Sequence, residues 1–471
     1  MRNFFFLFLS IFALNVNGQI SSSERTLIDS VLSQWDKTTM PGAAIGVIKD
    51  GKLIYTKGYG MADLEHEIQI SDITIFYIGS VSKQFTAMCV LLLEEQGKLS
   101  LDDNIQKYLP DFPDYGNPIT IRNYLNHTSG VRDNLTLWYL AGKDELDGID
   151  EMEMYQLICR QKELNFKPGE QFMYSNSCYF MLGLIIEKVS GEPLKDFARK
   201  NIFEPLGMNN TFFQDDNTKI IKNRAFSYTE ENGVIKNQIM RYNLVGSGGV
   251  YTNVKDMFKW DQNFYNNKLG KGSKALIEKM HSEGTLNSGR PIGFGYALGL
   301  QNGNYRGLNT VSHGGALAGY RSFLLRFPKQ NFSVILLGNI GTMDIEKLSY
   351  SVTNIFLEKQ LTPIQNVNSN NGSNGQSNGN SVFVEKELNQ YEGTFYSEEL
   401  EAKYKIYKMG EFLWCSINGR KPYSFQSIAK DRFIMDGYEQ IKFVLDDKNN
   451  ISGFTLSDDR ITKLDFKKTM K

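Results

Sequence analysis

The chain predicts an α+β domain followed by a small all-β barrel, and three observations carry that expectation. Strand-like segments cluster near residues 43–59 and again at 293–337, with helical periodicity between them. The stretch 365–381 is nearly all Asn, Ser, Gly and Gln and holds no apolar run to bury, so it reads as a flexible linker. Beyond it, seven or eight short β-rich segments separated by turns predict an antiparallel barrel or sandwich. A chain of 471 residues is long for one domain at roughly 150 residues each. The expected organisation is a signal peptide at 1–18, a helix-and-sheet domain at 19–360, a linker at 361–381 and the β-domain at 382–471.

Taken in order, the first residues set Arg2 before an apolar run from Phe4 to Leu14, with Val16-Asn17-Gly18 offering small residues for cleavage. That run is below the roughly 18–20 residues a membrane span needs. An exported protein, periplasmic or secreted, with no membrane span after cleavage is expected. A helix opens at Ser23 and ends near Lys37, its apolar face being Leu27, Ile28, Val31, Leu32 and Trp35. Asp50-Gly51 joins two strands as a hairpin turn, since both residues tolerate positive φ. The apolar run Met88–Leu93 forms a buried helix stopped by Gly97. Residues 119–130 read as a helix entering a tight turn, and 151–161 as an amphipathic helix. After Pro168-Gly169, an apolar helix runs from Tyr179 to Val189. A helix at 254–265, strands at 293–300, 321–327 and 333–337, and a helix at 343–357 complete one mixed sheet built from both ends of the domain.

Composition narrows the partners. With 52 basic against 53 acidic residues, no basic field argues for nucleic acid, which leaves a small molecule or a polymer met through a local pocket. Cys89, Cys159, Cys178 and Cys415 form no disulfide framework, and no close Cys/His cluster suggests a metal. Neither a cofactor nor a metal is expected.

The chemistry centres on Ser80-Val81-Ser82-Lys83, at the mouth of the apolar helix. On a helix Ser80 and Lys83 share a face, which is one way to activate a serine nucleophile. Spacing alone is weak, because Ser427-Ile428-Ala429-Lys430 has it too in a strand-like region. Tyr174-Ser175-Asn176 adds a phenol, whose pKa a nearby protonated lysine lowers toward a base, and an amide able to hold Lys83 and substrate. In His313-Gly314-Gly315, two glycines let a substrate backbone approach a strand closely.

These three motifs in this order resemble the serine β-lactamase and penicillin-binding protein superfamily, in its class C β-lactamase-like branch. Asn126-His127-Thr128-Ser129-Gly130, Phe166-Lys167-Pro168-Gly169, Pro205-Leu206-Gly207-Met208 and Ser247-Gly248-Gly249-Val250-Tyr251-Thr252 extend the resemblance over roughly Ile28 to Leu357. It implies a β-lactamase/transpeptidase-like fold, an antiparallel sheet with a helical subdomain, and an acyl-enzyme on Ser80. Lys83 and Tyr174 would shuttle the proton, and Asn176 would bind Lys83 and substrate. The backbone N–H groups of Ser80 and Ala316 would form the oxyanion hole, with Gly314 and Gly315 beside them. His313 stands where β-lactamases carry a lysine. The resemblance is therefore nearer to D-aminopeptidases, D-stereospecific peptidases and esterases of small amides or esters, with peptidoglycan-derived peptides among the substrates. A weak β-lactamase, or a penicillin- or muropeptide-binding protein with little turnover, is the alternative. Arg321 is a candidate for the missing positive charge, while the phrase around His127 looks structural. Residues 132–163, with Trp138, Tyr139 and Leu140, should border the site. The C-terminal strands resemble lipocalin-like barrels, serving stability or capping access to Ser80.

Overall fold

The computed structural model describes residues 20–144, 146–148, 150–363, 388–437 and 439–469. The expected signal peptide at 1–18 and nearly all of the expected linker lie outside the described residues. Helix α1 (Ser22–Leu32) starts at Ser21, whose hydroxyl accepts from Glu24 N while Glu24 answers with a reciprocal bond. Strands β1 (Ala43–Lys49) and β2 (Lys52–Tyr59) form the expected hairpin, with Asp50 at φ 50° and Gly51 at φ 74°. Helices α2 (Lys83–Glu95), α3 (Asn134–Leu140), α4 (Asn176–Ser190) and α5 (Val254–Asn263) follow. Strands β3 (Gln301–Tyr305), β4 (Leu308–Leu317), β5 (Tyr320–Phe327) and β6 (Phe332–Gly338) precede helix α6 (Ile345–Leu357).

The sheet order is β3-β4-β5-β6-β1-β2. It is built from both ends of the domain, as expected, yet every pairing is antiparallel rather than mixed. Strand β1 lies against β6 with Ala43 opposite Gly338, so the early hairpin extends the late meander, and the chain crosses from edge strand β2 to the opposite edge at β3. Phe323, Leu325 and Phe327 of β5 face outward to α1 and α6, while Leu324 faces the inner core. On that inner side α2 is buried all round from Lys83 to Leu93, as a helix apolar on every face must be. The serine motif is thereby anchored to a helix buried on every side.

One expected strand is absent. Gly293, Phe294 and Gly295 take φ values of 83°, 57° and 66°, a left-handed run that no extended strand accommodates. Alternation of apolar residues with glycine imitated a strand, but the segment is a loop that carries Tyr296 inward.

Eight strands, β7 (Gly393–Ser397), β8 (Ala402–Met409), β9 (Phe412–Ile417), β10 (Tyr423–Ala429), β11 (Arg432–Met435), β12 (Glu439–Leu445), β13 (Ile451–Ser457) and β14 (Leu464–Lys468), close a barrel in sequence order. Rings fill its interior, among them Phe454 stacked on Phe466 at 4.3 Å and Tyr391 beside Phe443 at 4.6 Å. The barrel is a packed core. It docks on the stretch that includes α3. Tyr404 donates to Leu140 O at 2.7 Å and Asn418 to Ala141 O at 3.1 Å. Arg132, almost fully buried, pairs with buried Glu399 at 2.7 Å and donates to Thr462 O and Lys463 O. The barrel thus meets the 132–162 stretch at Arg132, Leu140, Ala141, Gln161 and Lys162, while Met152 stays exposed. Trp138 and Leu140 are core residues, and Tyr139 is exposed. The four cysteines are free. Among the described residues, no group of His, Cys, Asp and Glu could hold a metal, and no helix is long and apolar enough to cross a membrane.

Candidate active site

Ser80 lies in a 3-10 turn, Gly79–Ser82, that feeds directly into α2. Side chains at i and i+3 eclipse in such a turn, so Lys83 comes beside Ser80 more directly than along an α-helix. Three tethers hold the turn against the sheet and the 247–252 segment. Ile78 N donates to Val250 O at 3.0 Å, Val250 N to Ser82 Oγ at 3.1 Å, and Ser322 Oγ of β5 to Ile78 O at 2.7 Å.

Lys83 is fully buried. Its Nζ lies 2.8 Å from Asn176 Oδ1, 2.7 Å from Ser247 O and 3.2 Å from Ser80 Oγ. Asn176 opens α4, and its orientation is dictated by Asp133. One oxygen of that buried carboxylate accepts from both the backbone N (2.6 Å) and the side-chain Nδ2 (2.9 Å) of Asn176. The other accepts from Thr136 N and caps α3. Asn176 must therefore present its carbonyl to Lys83.

Tyr174 stands beside Ser80, and its ring lies 4.2 Å from that of His127 and 4.9 Å from Lys83 Nζ. His127 is buried behind it at φ 55°. Ser175 N donates to His127 Nδ1 at 3.1 Å, so the proton sits on Nε2, which donates to Tyr296 Oη at 3.0 Å. The Tyr296 hydroxyl then faces His313 Nε2 at 3.4 Å, while His313 Nδ1 donates to Gly314 O at 2.7 Å. Both imidazoles are neutral in this chain of bonds.

Strand β4 carries His313 to Ala316 along the edge of the serine turn. A Cβ on Gly315 would fall 2.1 Å from Ile78 O and 2.9 Å from Ser80 N, and one on Gly79 would fall 2.7 Å from Ala316 N. Only glycine permits this approach, which brings the Ser80 and Ala316 amides to the same gap. Arg321 faces elsewhere. It lies on the outer face of β5, and its guanidinium donates to Ala318 O and Tyr320 O at 2.9 and 2.8 Å, so it supplies no charge at the site. Ser427 sits on barrel strand β10, away from these groups.

Burial governs the protonation states. It draws Lys83 down to about 7, with Asp133 opposing and Arg460 assisting. Tyr174 moves the other way. Burial raises its phenol above the usual value, whereas the sequence predicts a phenol lowered by a charged lysine. A lysine that burial itself draws toward its uncharged form gives a phenolate less support than a fixed charge would. His313 is pushed down to about 4 by burial and then by Lys83.

The sequence reading missed four residues at this site. Asp133 carried an N-cap signal before α3. Ser247 lay in a quoted phrase but had no role. Tyr296 was hidden by the mistaken strand, and Arg460 carried no local signal at all.

An antiparallel sheet flanked by helices, with Ser-x-x-Lys at its edge, defines the β-lactamase-fold serine hydrolases. The chain belongs to the Beta-lactamase family, whose model matches residues 28–349. It is 33% identical to penicillin-binding protein 4* of Bacillus subtilis (strain 168) over 61% of this chain, a match spanning 66% of that relative's length. The octameric penicillin-binding protein homologue from Pyrococcus abyssi superposes with a TM-score of 0.63 at 24% identity, covering 94% of this chain and 99% of the other. The D-amino acid amidase from Ochrobactrum anthropi SV3 superposes with a TM-score of 0.60 at 20% identity, over 72% and 100%. Both likenesses are of fold.

Proposed function

We propose that this protein is an exported hydrolase that cleaves small amides or esters through an acyl-enzyme on Ser80, D-amino-acid amides and peptidoglycan-derived peptides being the favoured class. The arrangement around Lys83 Nζ carries the reading. An uncharged amine has two hydrogens and one lone pair. Asn176 Oδ1 and Ser247 O offer no hydrogen of their own, so they take the two N–H groups. The lone pair is left for the hydroxyl proton of Ser80. Lys83 is the general base in this reading. Tyr174 stays protonated beside Ser80 and passes its proton toward the leaving group, taking in exchange the proton that Lys83 drew from Ser80. The amides of Ser80 and Ala316 receive the developing oxyanion. Asn176, His313, Gly314 and Gly315 line the substrate's path, and water completes hydrolysis.

A neutral His313 offers no fixed charge to a substrate carboxylate, which favours uncharged amides and esters over β-lactams. The names of the relatives keep a penicillin-binding reading in view, and that reading differs in turnover. Full-length protein should be labelled by a fluorophosphonate probe, Ser80→Ala should lose the label, and Ser427→Ala should keep it. Label retained in Ser80→Ala would sink the proposal. A single burst on p-nitrophenyl esters and D-alanine p-nitroanilide, without steady turnover, would favour the binding protein over the hydrolase.

A further inference from the structure

The turn between β13 and β14 places Arg460 in the mouth of the site, and the first domain fixes that turn. Asn165 Nδ2 donates to Arg460 O at 2.8 Å, Thr462 N donates to Asn165 Oδ1 at 2.8 Å, and Arg132 holds the carbonyls of Thr462 and Lys463. From there the guanidinium reaches over Tyr174, with Cζ 5.2 Å from the ring centroid. Its Nη1 stands 4.0 Å from Asp133 Oδ2. That oxygen is the one that orients Asn176, which in turn holds Lys83. Arg460, Asp133, Asn176, Lys83 and Ser80 thus form one continuous polar line from the barrel to the nucleophile.

We propose that Arg460 is a positioning residue of the hydrolase site, supplied by the barrel, which serves as counter-ion to buried Asp133 and so leaves Lys83 free to act as an uncharged amine. The inference rests on the reading of Lys83 as general base. Asp133 is fully buried, and a buried carboxylate needs a cation. Among the described residues, Arg460 is the one basic side chain within 4.0 Å of it. A guanidinium keeps its proton at any working pH, whereas a buried amine gives its proton up readily. With Arg460 in place the anion is already neutralised. Without it, Lys83 becomes the nearest group able to do so and must hold its proton.

The other titratable groups facing Lys83 do not alter the balance. Lys83 faces Tyr174 and Tyr179 at 4.9 and 5.6 Å, and Asn176 and Cys178 on α4. His127 and His313 are neutral, burial driving both below their ordinary range. Burial also raises Tyr174, Tyr179, Tyr242 and Cys178, so all four stay uncharged near neutrality. Asp133 and Arg460 remain as the charges that oppose and assist deprotonation. Arg460 itself faces Asp133, Tyr174 and its own neighbour Asp459, at 3.8 Å from Nε. Asp436, Glu439 and Asp458 line the adjoining cavity of about 370 Å³ between the barrel and α3.

The test is the pH dependence of the fluorophosphonate labelling rate of full-length protein, which reads Ser80 activation independently of the natural substrate. Arg460→Ala and Arg460→Gln, which differ in the packing left over Tyr174, should both move the acid limb to higher pH by about one unit or more. Their rates should approach wild type at alkaline pH. Arg460→Lys should return the limb most of the way, and adding Asp133→Asn to Arg460→Gln should also bring it back. A limb that stays where wild type has it in Arg460→Gln overturns the inference, even if labelling is slower at every pH. Failure of the hydrolase reading would show instead in wild type, as label that Ser80→Ala does not remove.

Discussion

Two histidines meet on one tyrosine hydroxyl in this site, and the tautomers that arrangement imposes decide what His313 can do. Its Nδ1 proton is committed to Gly314 O, and its Nε2 faces the Tyr296 hydroxyl. Burial keeps it unprotonated down to about 4. Because the folded-state value is depressed, the unfolded imidazole binds its proton first as pH falls. The stability tied to neutral His313 is therefore present above about 6.5 and is lost as pH drops toward 4. The same neutrality bears on substrates. His313→Lys would place a charged donor midway along β4, where a substrate carboxylate could meet it. Acylation by nitrocefin relative to a neutral p-nitrophenyl ester should rise about tenfold, the gain of one modest charge-assisted hydrogen bond. An unchanged ratio would mean that other pocket groups decide specificity. His313 was legible in sequence as a departure from lysine and as a side chain mostly neutral at about pH 7. Its tautomer was not, because that depends on Tyr296, whose segment resembled a strand.

At the scale of elements, the site is a junction between a 3-10 turn and a strand edge. Each had to give up side chains to meet the other. Gly315 on β4 and Gly79 in the turn face each other across a gap that no Cβ fits, and Ser322 of β5 locks the two together. Gly315→Ala would force Ile78 O away from its present place and push β4 off the turn. An overpacking cost of about 1–3 kcal/mol is expected, together with a loss of labelling of about a hundredfold, since an oxyanion donor is displaced. Thermal melting and the labelling rate measure the two effects separately. Full labelling in a folded Gly315→Ala protein would show that the Ala316 amide plays no part. The glycine pair was visible in sequence because closeness is the ordinary reason for two glycines on a strand. Asp133 was not visible as part of the site, since an N-cap aspartate before one helix gives no sign that it also orients the first residue of another.

For the molecule as a whole, the barrel and the sheet domain are held together by a buried ion pair rather than by a loose tether. Arg132 and Glu399 meet at 2.7 Å with almost no exposure on either side. Glu399 also accepts from Lys162 N at 2.7 Å. Truncating one partner of such a pair costs about 3–5 kcal/mol, because the remaining charge is left buried. Arg132 would keep Gln161 Oε1, Thr462 O and Lys463 O as acceptors, so Glu399→Ala should fall at the lower end. Urea unfolding followed by tryptophan fluorescence would report it, and a loss below about 1 kcal/mol would show that docking does not depend on the pair. If the barrel also supplies Arg460 as proposed, loosening this interface should slow acylation without touching any group that meets substrate.

The sequence by itself determined the elements and the local chemistry. Period and turn residues placed the hairpin at Asp50-Gly51, the buried helix behind Ser80 and the run of short strands near the C-terminus, because each is a property of neighbours a few residues apart. Spacing brought Ser80 and Lys83 together for the same reason. Only the tertiary structure decided which groups are charged. Burial of Lys83, the opposite movement of Tyr174, the bond chain through Tyr296 and the approach of Arg460 all depend on residues far apart in the chain. Protonation follows the solvent and the charges that folding removes or brings near, and those are set by packing rather than by sequence spacing.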